Sequence, residues 1–388
     1  MQNRVKWGVM TLLILNISFI LTGCWDSVEI NERNVVMEIA IDKNQDADQT
    51  QPINKRDSYQ ITYTIPDRAK LSGKDSLAED VKSAVVTTTP TIETSVDEVE
   101  SKSQNTISFS HTQAIVLGKE LMKDAELFRG AIDGLIRNME ISRTTNILAT
   151  TGEAGKLTQG ENKQNPILGL YVMKYFNNAE RPVSYAKEQL VGNLIREIQD
   201  TNITTIPVIS TDEKDSIEIG GAAVIKNYEL VDFIGRDIVR GQLFIEGKIN
   251  QVPIVVEYKG SPLTYIIDKE RSKITFNNNG EISEGNIEIL TEGNITEYVS
   301  TNIKNIFSVE DINQITTLLQ EEIRHQVMVA VNKSKELNVD FLKIGLQMYR
   351  KHPKQWQKYE SIWDKEGYKS FPINVQVTST IKNTGIIQ

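Results

Sequence analysis

The sequence commits one residue to a definite chemistry, Cys24. It is the only cysteine in 388 residues. It directly follows Leu21-Thr22-Gly23, at the end of an apolar run from Val9 to Leu21 that Arg4 and Lys6 precede. A basic start, a short apolar stretch and small residues at its exit form a secretory signal, since a bilayer span needs roughly 20 apolar residues. Leu-Thr-Gly-Cys has the form of a bacterial lipobox, in which the cysteine thiol takes a diacylglyceryl group through a thioether and becomes the first residue, open to N-acylation by a palmitate-type chain. A lone cysteine in an exported chain has no intramolecular disulfide partner, so lipidation accounts for it better than a bridge does. Each buried methylene contributes about 0.8 kcal/mol and one acyl chain binds only marginally, so a diacylglyceryl group is the minimum stable tether. Residues 1–23 therefore read as a lipoprotein signal peptide and 24–34 as a lipid-anchored linker.

No other reactive constellation emerges. Each Gly-Lys pair, at Gly73, Gly118, Gly155 and Gly247, lacks the glycine five positions upstream that a phosphate-wrapping loop needs. His111, His325 and His352 fall in no His-Glu-x-x-His pattern, and no cysteine beyond Cys24 can complete a zinc site. A Gly-x-Ser-x-Gly nucleophile elbow is missing. Asp42, Asn44, Asp46 and Asp48 suggest a calcium loop, but Ala47 stands where glycine is required and Ile53 where the bidentate glutamate belongs. The expectation is a non-enzymatic protein with no metal and no cofactor other than the covalent lipid.

The body that would sit on this tether has 43 basic against 52 acidic residues, a formal charge of -9, or -11 once Arg4 and Lys6 leave with the signal. That balance argues against nucleic acid or an anionic lipid surface as the main electrostatic partner. Val35, Met37, Ile39 and Ile41 alternate as a half-buried strand, Asp42 to Asp57 reads as a polar loop, and Tyr59 to Ile65 as the returning strand of a hairpin. Leu71 to Ser103 is polar and threonine-rich, with a modest helix carrying Ile92, Val96 and Val99. Thr112 to Gly118 and Asn146 to Thr151 read as strands. Leu121, Leu127 or Phe128, Ile132 and Leu135 mark a helix, and Pro166 to Phe176 and Pro182 to Ile195 two more.

Ile206-Pro207-Val208-Ile209 and the charged stretch Thr211 to Ser216 read as a junction between an N-terminal domain, 35–208, and a C-terminal domain, 217–388. Short β-type runs at Gly220 to Ile225, Glu229 to Ile234, Val252 to Tyr258, Thr264 to Asp268, Lys273 to Phe276 and Ile287 to Leu290 predict antiparallel hairpins. Ser308-Val-Glu-Asp311 is a capping box for a long helix with Ile312, Ile315, Leu319, Ile323, Val327 and Ala330 along one face. A short helix carrying Phe341, Leu342 and Ile344 and a last strand with Val375, Val377 and Ile381 follow. Strands and helices cluster, so the expected class is α+β, with mixed, mainly antiparallel sheets and packed helices in two or three domains, not doubly wound.

Several of these residues together resemble the Ger(x)C lipoproteins of endospore-forming bacteria, the third subunit of nutrient germinant receptors. Gly23-Cys24-Trp25-Asp26 with Glu29-Ile30-Asn31-Glu32 is similar to the family's opening. Phe109-Ser110-His111 leading to Val116-Leu117-Gly118-Lys119-Glu120, and Gly221-Ala222-Ala223-Val224-Ile225-Lys226 leading to Leu230-Val231, are further matches. Asp340-Phe341-Leu342-Lys343-Ile344-Gly345 with Tyr349-Arg350-Lys351-His352-Pro353 and Trp356 resembles its C-terminal signature. Asp232 stands where many members carry glycine, and Ile30 replaces the usual leucine. The resemblance implies a subunit anchored to the extracytoplasmic face of the inner spore membrane, working non-enzymatically with two integral membrane subunits. Its signature residues read first as fold determinants. The rival reading from the residues alone is a solute-binding lipoprotein of a transporter, which needs two βαβ lobes around a cleft. A lipid-anchored hydrolase would share the tether but lacks a recognisable nucleophile or metal set.

Overall fold

The computed structural model describes Trp7 and residues 33–67, 81–138, 140–160, 166–178, 184–211, 216–278, 282–298 and 307–384. Leu21, Thr22, Gly23, Cys24, Trp25 and Asp26 lie outside the described residues. Among the described residues ten strands belong to the first half: β1 (Arg33–Val35), β2 (Glu38–Lys43), β3 (Tyr59–Pro66), β4 (Lys82–Thr89), β5 (Thr106–Ser108), β6 (Ala114–Leu117), β7 (Asn146–Ala149), β8 (Ile203–Thr211), β9 (Ile217–Lys226) and β10 (Glu229–Ile234). Eight of them form one sheet in the order β10-β9-β8-β7-β6-β2-β3-β4, and β1 pairs with β5. The middle of the sheet, β8, β7, β6 and β2, is parallel, while β2-β3-β4 and β8-β9-β10 are antiparallel at its two ends. Strand order follows chain order through the parallel part without reversing, so the sheet is not doubly wound.

Because side chains alternate across a strand, the central strands feed two layers. Ile39, Ile41, Ile115 and Leu117 pack with Phe128 of α3 (Ala125–Arg137) and Leu194 of α6 (Val191–Thr201). Ala40, Ala114 and Val116 face Leu168 and Val172 of α5 (Leu168–Asn177). Two shorter helices, α1 (Ile92–Glu100) and α2 (Lys119–Met122), and the single turn α4 (Ala154–Gln159) complete this half.

The second sheet has the order β11 (Val252–Tyr258), β12 (Ser261–Asn278), β13 (Ile282–Tyr298), β14 (Ile373–Asn383). Its first two pairings are antiparallel and the last is parallel. Antiparallel pairs thus make up six of the eleven strand pairings among the described residues, and the class is α+β as expected. The long helix α8 (Val309–Leu337) starts at the capping box read from the sequence, with Ser308 Oγ accepting from Asp311 N–H. Its Ile315, Leu319, Ile323, Val327 and Ala330 are fully buried against this sheet and α7 (Arg236–Ile245). Helices α9 (Ile344–Lys351) and α10 (Pro353–Ile362) follow.

The stretch read as a domain junction takes in the end of β8 and stops just before β9, and these two strands pair with each other inside the first sheet. β8 escaped the sequence reading because Pro207 argues against a central strand; its missing N–H is accommodated where the β8–β9 register shifts between Pro207 and Ile209. Strand β9 serves both halves. Ala222 and Val224 belong to the core under α7 and α8, Ala223 and Ile225 to the core of the first sheet.

Other expectations need correction. Lys82–Thr89, taken with the polar stretch, is an edge strand whose buried residues are the polar Thr87 and Thr89, so no apolar alternation marks it. The helix expected over Pro182 to Ile195 begins only at Val191, and Ser184 to Gln189 has no helical structure. The two runs Thr264 to Asp268 and Lys273 to Phe276 are one continuous strand, β12. Phe341 and Leu342 lie in a turn ahead of α9 and not in a helix.

Asp42, read as a loop residue, is a buried member of β2. Its carboxylate accepts from Ala154 N–H at 2.8 Å and Gly155 N–H at 2.7 Å, closing the N-terminus of α4. Four positions earlier on the same face, Glu38 accepts from Gly169 N–H at 2.9 Å at the start of α5. Helix N-termini favour such anions. Gly118 permits the first arrangement, because a Cβ there would overlap Asp42 Oδ1. Gly118→Ala should therefore cost about 2–4 kcal/mol in urea unfolding, whereas Gly152→Ala, whose added Cβ meets nothing within 4 Å, should change stability little.

Candidate functional site: the joint between the halves

The two halves meet around a buried polar cluster. Lys187, in the extended segment before α6, places Nζ 3.2 Å from Glu197 Oε1 and 3.0 Å from Glu246 Oε1. Glu197 sits on α6, Glu246 caps the C-terminus of α7. Lys343, left-handed at the N-cap of α9 (φ 62°), also pairs with Glu197. Gln189 Nε2 and Thr204 Oγ1 donate to Glu197 Oε2 at 3.1 and 2.7 Å, and Gln242 Nε2 donates to Glu246 Oε1 at 2.9 Å. Two carboxylates thus balance two ammonium groups, with Lys248 joining Glu246 from the rim at 3.0 Å.

Burial alone would push every one of these groups toward neutrality. For Glu246 it is outweighed by Lys187, Lys248 and Lys343, which hold its carboxyl down at about 2. Glu197 is lowered too, because Lys187 and Lys343 overcome its desolvation. Lys187 is raised, since Glu246 and Glu197 overcome its own burial. Lys343 is lowered, as burial and the neighbouring Lys187 charge together exceed the attraction of Glu197. The geometry decides between these opposing directions: Lys343 directly contacts the lowered Glu197, so the pair stays charged.

Beside this cluster lies the C-terminal signature. Asp340 is buried, and its carboxylate accepts from Ile344 N–H at 2.9 Å, Gly345 N–H at 2.7 Å and Trp363 Nε1–H at 3.1 Å. Burial raises its carboxyl to about 6 against the pull of these donors. Gly345 must lack a side chain, because a Cβ would come within 2.9 Å of Trp356 Cη2 and overlap the Trp363 indole. Trp356 stands edge-on to Trp363 at 5.4 Å, and Pro353 occupies the first turn of α10, where its missing N–H costs nothing. The structure therefore brings Asp340, Gly345 and Trp356 together, with Trp363 as a partner the sequence reading missed.

The remaining signature residues lie apart. His111 is exposed in the turn before β6, not in the strand. Gly221 has φ +76° on β9, and a Cβ there would approach Ile234 O to 2.6 Å. His325 is exposed on α8, and His352 abuts Phe276 at 5.8 Å. Among the described residues no three His, Cys, Asp or Glu side chains are grouped to hold a metal ion, and no helix is long and apolar enough to cross a membrane. The chemistry of the joint is ionic docking of one half on the other. Lys187, Glu197 and Glu246 carried no signal in the sequence, and Lys343 stood out only as part of the C-terminal signature, because no spacing rule links these four positions.

Glu246→Gln should remove about 3 kcal/mol of stability by leaving Lys187 undercompensated, measured by urea unfolding at pH 7. The pH dependence has a definite sign. The folded-state pKa of Glu246, about 2, lies below its ordinary 4.5, so folding favours the ionised form. That stability is present above pH 4.5 and drains away as pH falls toward 2. The Gln variant should therefore lose less stability than the parent over that interval.

The comparisons agree with this architecture from end to end. Residues 26–211 match the family model for the spore germination protein N-terminal domain, and residues 220–385 the one described as Spore germination B3/GerAC like, C-terminal. Spore germination protein B3 of Bacillus subtilis (strain 168) is 24% identical over 398 residues, covering 100% of both chains. Spore germination protein KC of the same organism is 22% identical over 411 residues, covering 98% of this chain and 97% of its own. The crystal structure of the GerBC protein superposes with a TM-score of 0.59 at 20% identity, covering 89% of this chain and 97% of that one, and shares its α+β fold. The two family models meet between β8 and β9, inside a single sheet, and together they place this chain in the spore germination GerAC-like family, the C-subunit family of germinant receptors.

Proposed function

We propose that this chain is the lipid-anchored, non-enzymatic subunit of a germinant receptor, held by Cys24 at the extracytoplasmic face of the inner spore membrane beside two integral membrane subunits. The observation that carries the reading is the match to Spore germination protein B3 over 100% of both chains combined with Leu21-Thr22-Gly23-Cys24 a few residues ahead of β1, the first strand among the described residues, which begins at Arg33. The charged groups of the joint are paired with one another and hold the two halves together. Solute binding by two βαβ lobes gains no support from a fold whose strand order does not reverse.

Its mechanism is proximity. A diacylglyceryl anchor confines the protein to the membrane plane, where a tethered partner reaches an effective concentration in the millimolar range for a short flexible link. The nine positions from Cys24 to Arg33 span at most about 30 Å when extended, which also limits the height of the folded body above the bilayer.

Cys24→Ala should leave the stability of the folded body unchanged, release the protein from the membrane fraction of spores and strongly slow nutrient-triggered germination. Membrane fractionation, immunoblotting and germination kinetics on the same spores check this. A normal response from a protein shown to be unlipidated would refute the tether; unchanged protein level with a lost response would support it.

A further inference from the structure

Beside the joint, the halves leave a half-open cleft of about 440 Å³, within the size range of small-ligand sites. One wall is the C-terminal turn of α6, from Gln199 through Asp200 to Ile203; the other is built from α9, α10 and the turn after it. The charged lining has one sign. Asp200, Glu360 and Asp364 are exposed at its rim, buried Asp340 lies beneath, and no lysine, arginine or histidine lines it.

Asp200 is engaged by Arg350 at 3.1 Å and Asp364 by Lys226 at 3.4 Å. Among the described residues Glu360 has no ion-pair partner. The negative end of the α6 dipole lies at the same wall. A cluster of acids would by itself attract only solvent cations, but this one surrounds an aromatic wall. Tyr349 is 54% exposed, and the half-buried Trp356 is braced edge-on by Trp363, whose N–H is fixed on Asp340. An indole face is the best π partner for a cation that also sheds water against a ring.

We propose that this cleft binds an organic cation, a guanidinium or primary ammonium group, with Glu360 as its ion-pair partner and Trp356 and Tyr349 as its aromatic wall. A metal ion would be served poorly, since its hydration shell gains nothing from indole. The occupant is either a free small cation or an arginine or lysine side chain offered by a neighbouring polypeptide, and the chemistry is the same for both. A ligand there would touch both halves at once. The inference does not depend on the lipid anchor.

The test is calorimetric titration of the purified full chain with N-acetylarginine amide, its neutral isostere N-acetylcitrulline amide, and methylguanidinium. The arginine derivative should bind saturably with a dissociation constant of about 1 mM or tighter, and Glu360→Gln, an exposed change, should weaken it about tenfold. Added salt should also weaken it, and the indole N–H resonances of Trp356 and Trp363 should shift on binding. Binding of methylguanidinium as well would mean that the cationic group suffices; binding of the arginine derivative alone would point to a side chain on a polypeptide. No saturable binding by folded protein, equal binding of the citrulline derivative, or an unchanged constant in Glu360→Gln would overturn the proposal.

Discussion

Everything in this molecule depends on strand β9 having two cores to fill. The period of a strand is two residues, so Ala222 and Val224 project to one side and Ala223 and Ile225 to the other. A slip of one residue would exchange the two sets. The small alanines on both sides leave room for bulkier partners, α7 and α8 on one side, α3 and α6 on the other. Gly241 lets α7 and α8 cross closely, since a Cβ on it would lie 2.7 Å from that of Ala330. Once β9 is in register, Lys187 and Glu197 from one half reach Glu246 and Lys343 from the other. The apolar layers supply most of the stabilisation, and the buried charges fix how the halves dock, because a misdocked arrangement would leave them unpaired.

A second device recurs three times. Glu38, Asp42 and Asp340 each turn a buried carboxylate onto the first N–H groups of a helix. Each satisfies donors that would otherwise be stranded in the interior. The device explains residues that look reactive in the sequence. Gly118 leaves space for one carboxylate and Gly345 for the indoles beside another, so both family-signature glycines serve packing. His111, by contrast, is exposed, and its place in the signature has no packing explanation in this structure.

What could be read in the sequence was local. The capping box at Ser308 and the apolar face of α8 are encoded within a few residues of one another, and both stand where the pattern puts them. The hairpin alternation of Val252 to Tyr258 is equally local. What escaped reading was long-range. Lys343 and Glu197 are separated by 146 positions and Asp42 and Ala154 by 112, so no spacing rule connects them. Strand β4 buries Thr87 and Thr89 while leaving Ala84 and Val86 exposed, and β8 contains a proline, so each contradicts its local pattern and is set by its neighbours in the sheet. Of the residues around the cleft, the signature supplied Asp340, Gly345, Tyr349 and Trp356; Glu360 and Trp363 gave no signal, because their roles depend on how α10 folds back.

The shared strand also bears on ancestry. The two family models part between residues 211 and 220, yet the sheet runs unbroken across that gap. A chain cut there would expose the edge of β8 and strip one face of β9 of its core, leaving two fragments that invite aggregation. The halves consequently cannot be exchanged by recombination as independent cassettes.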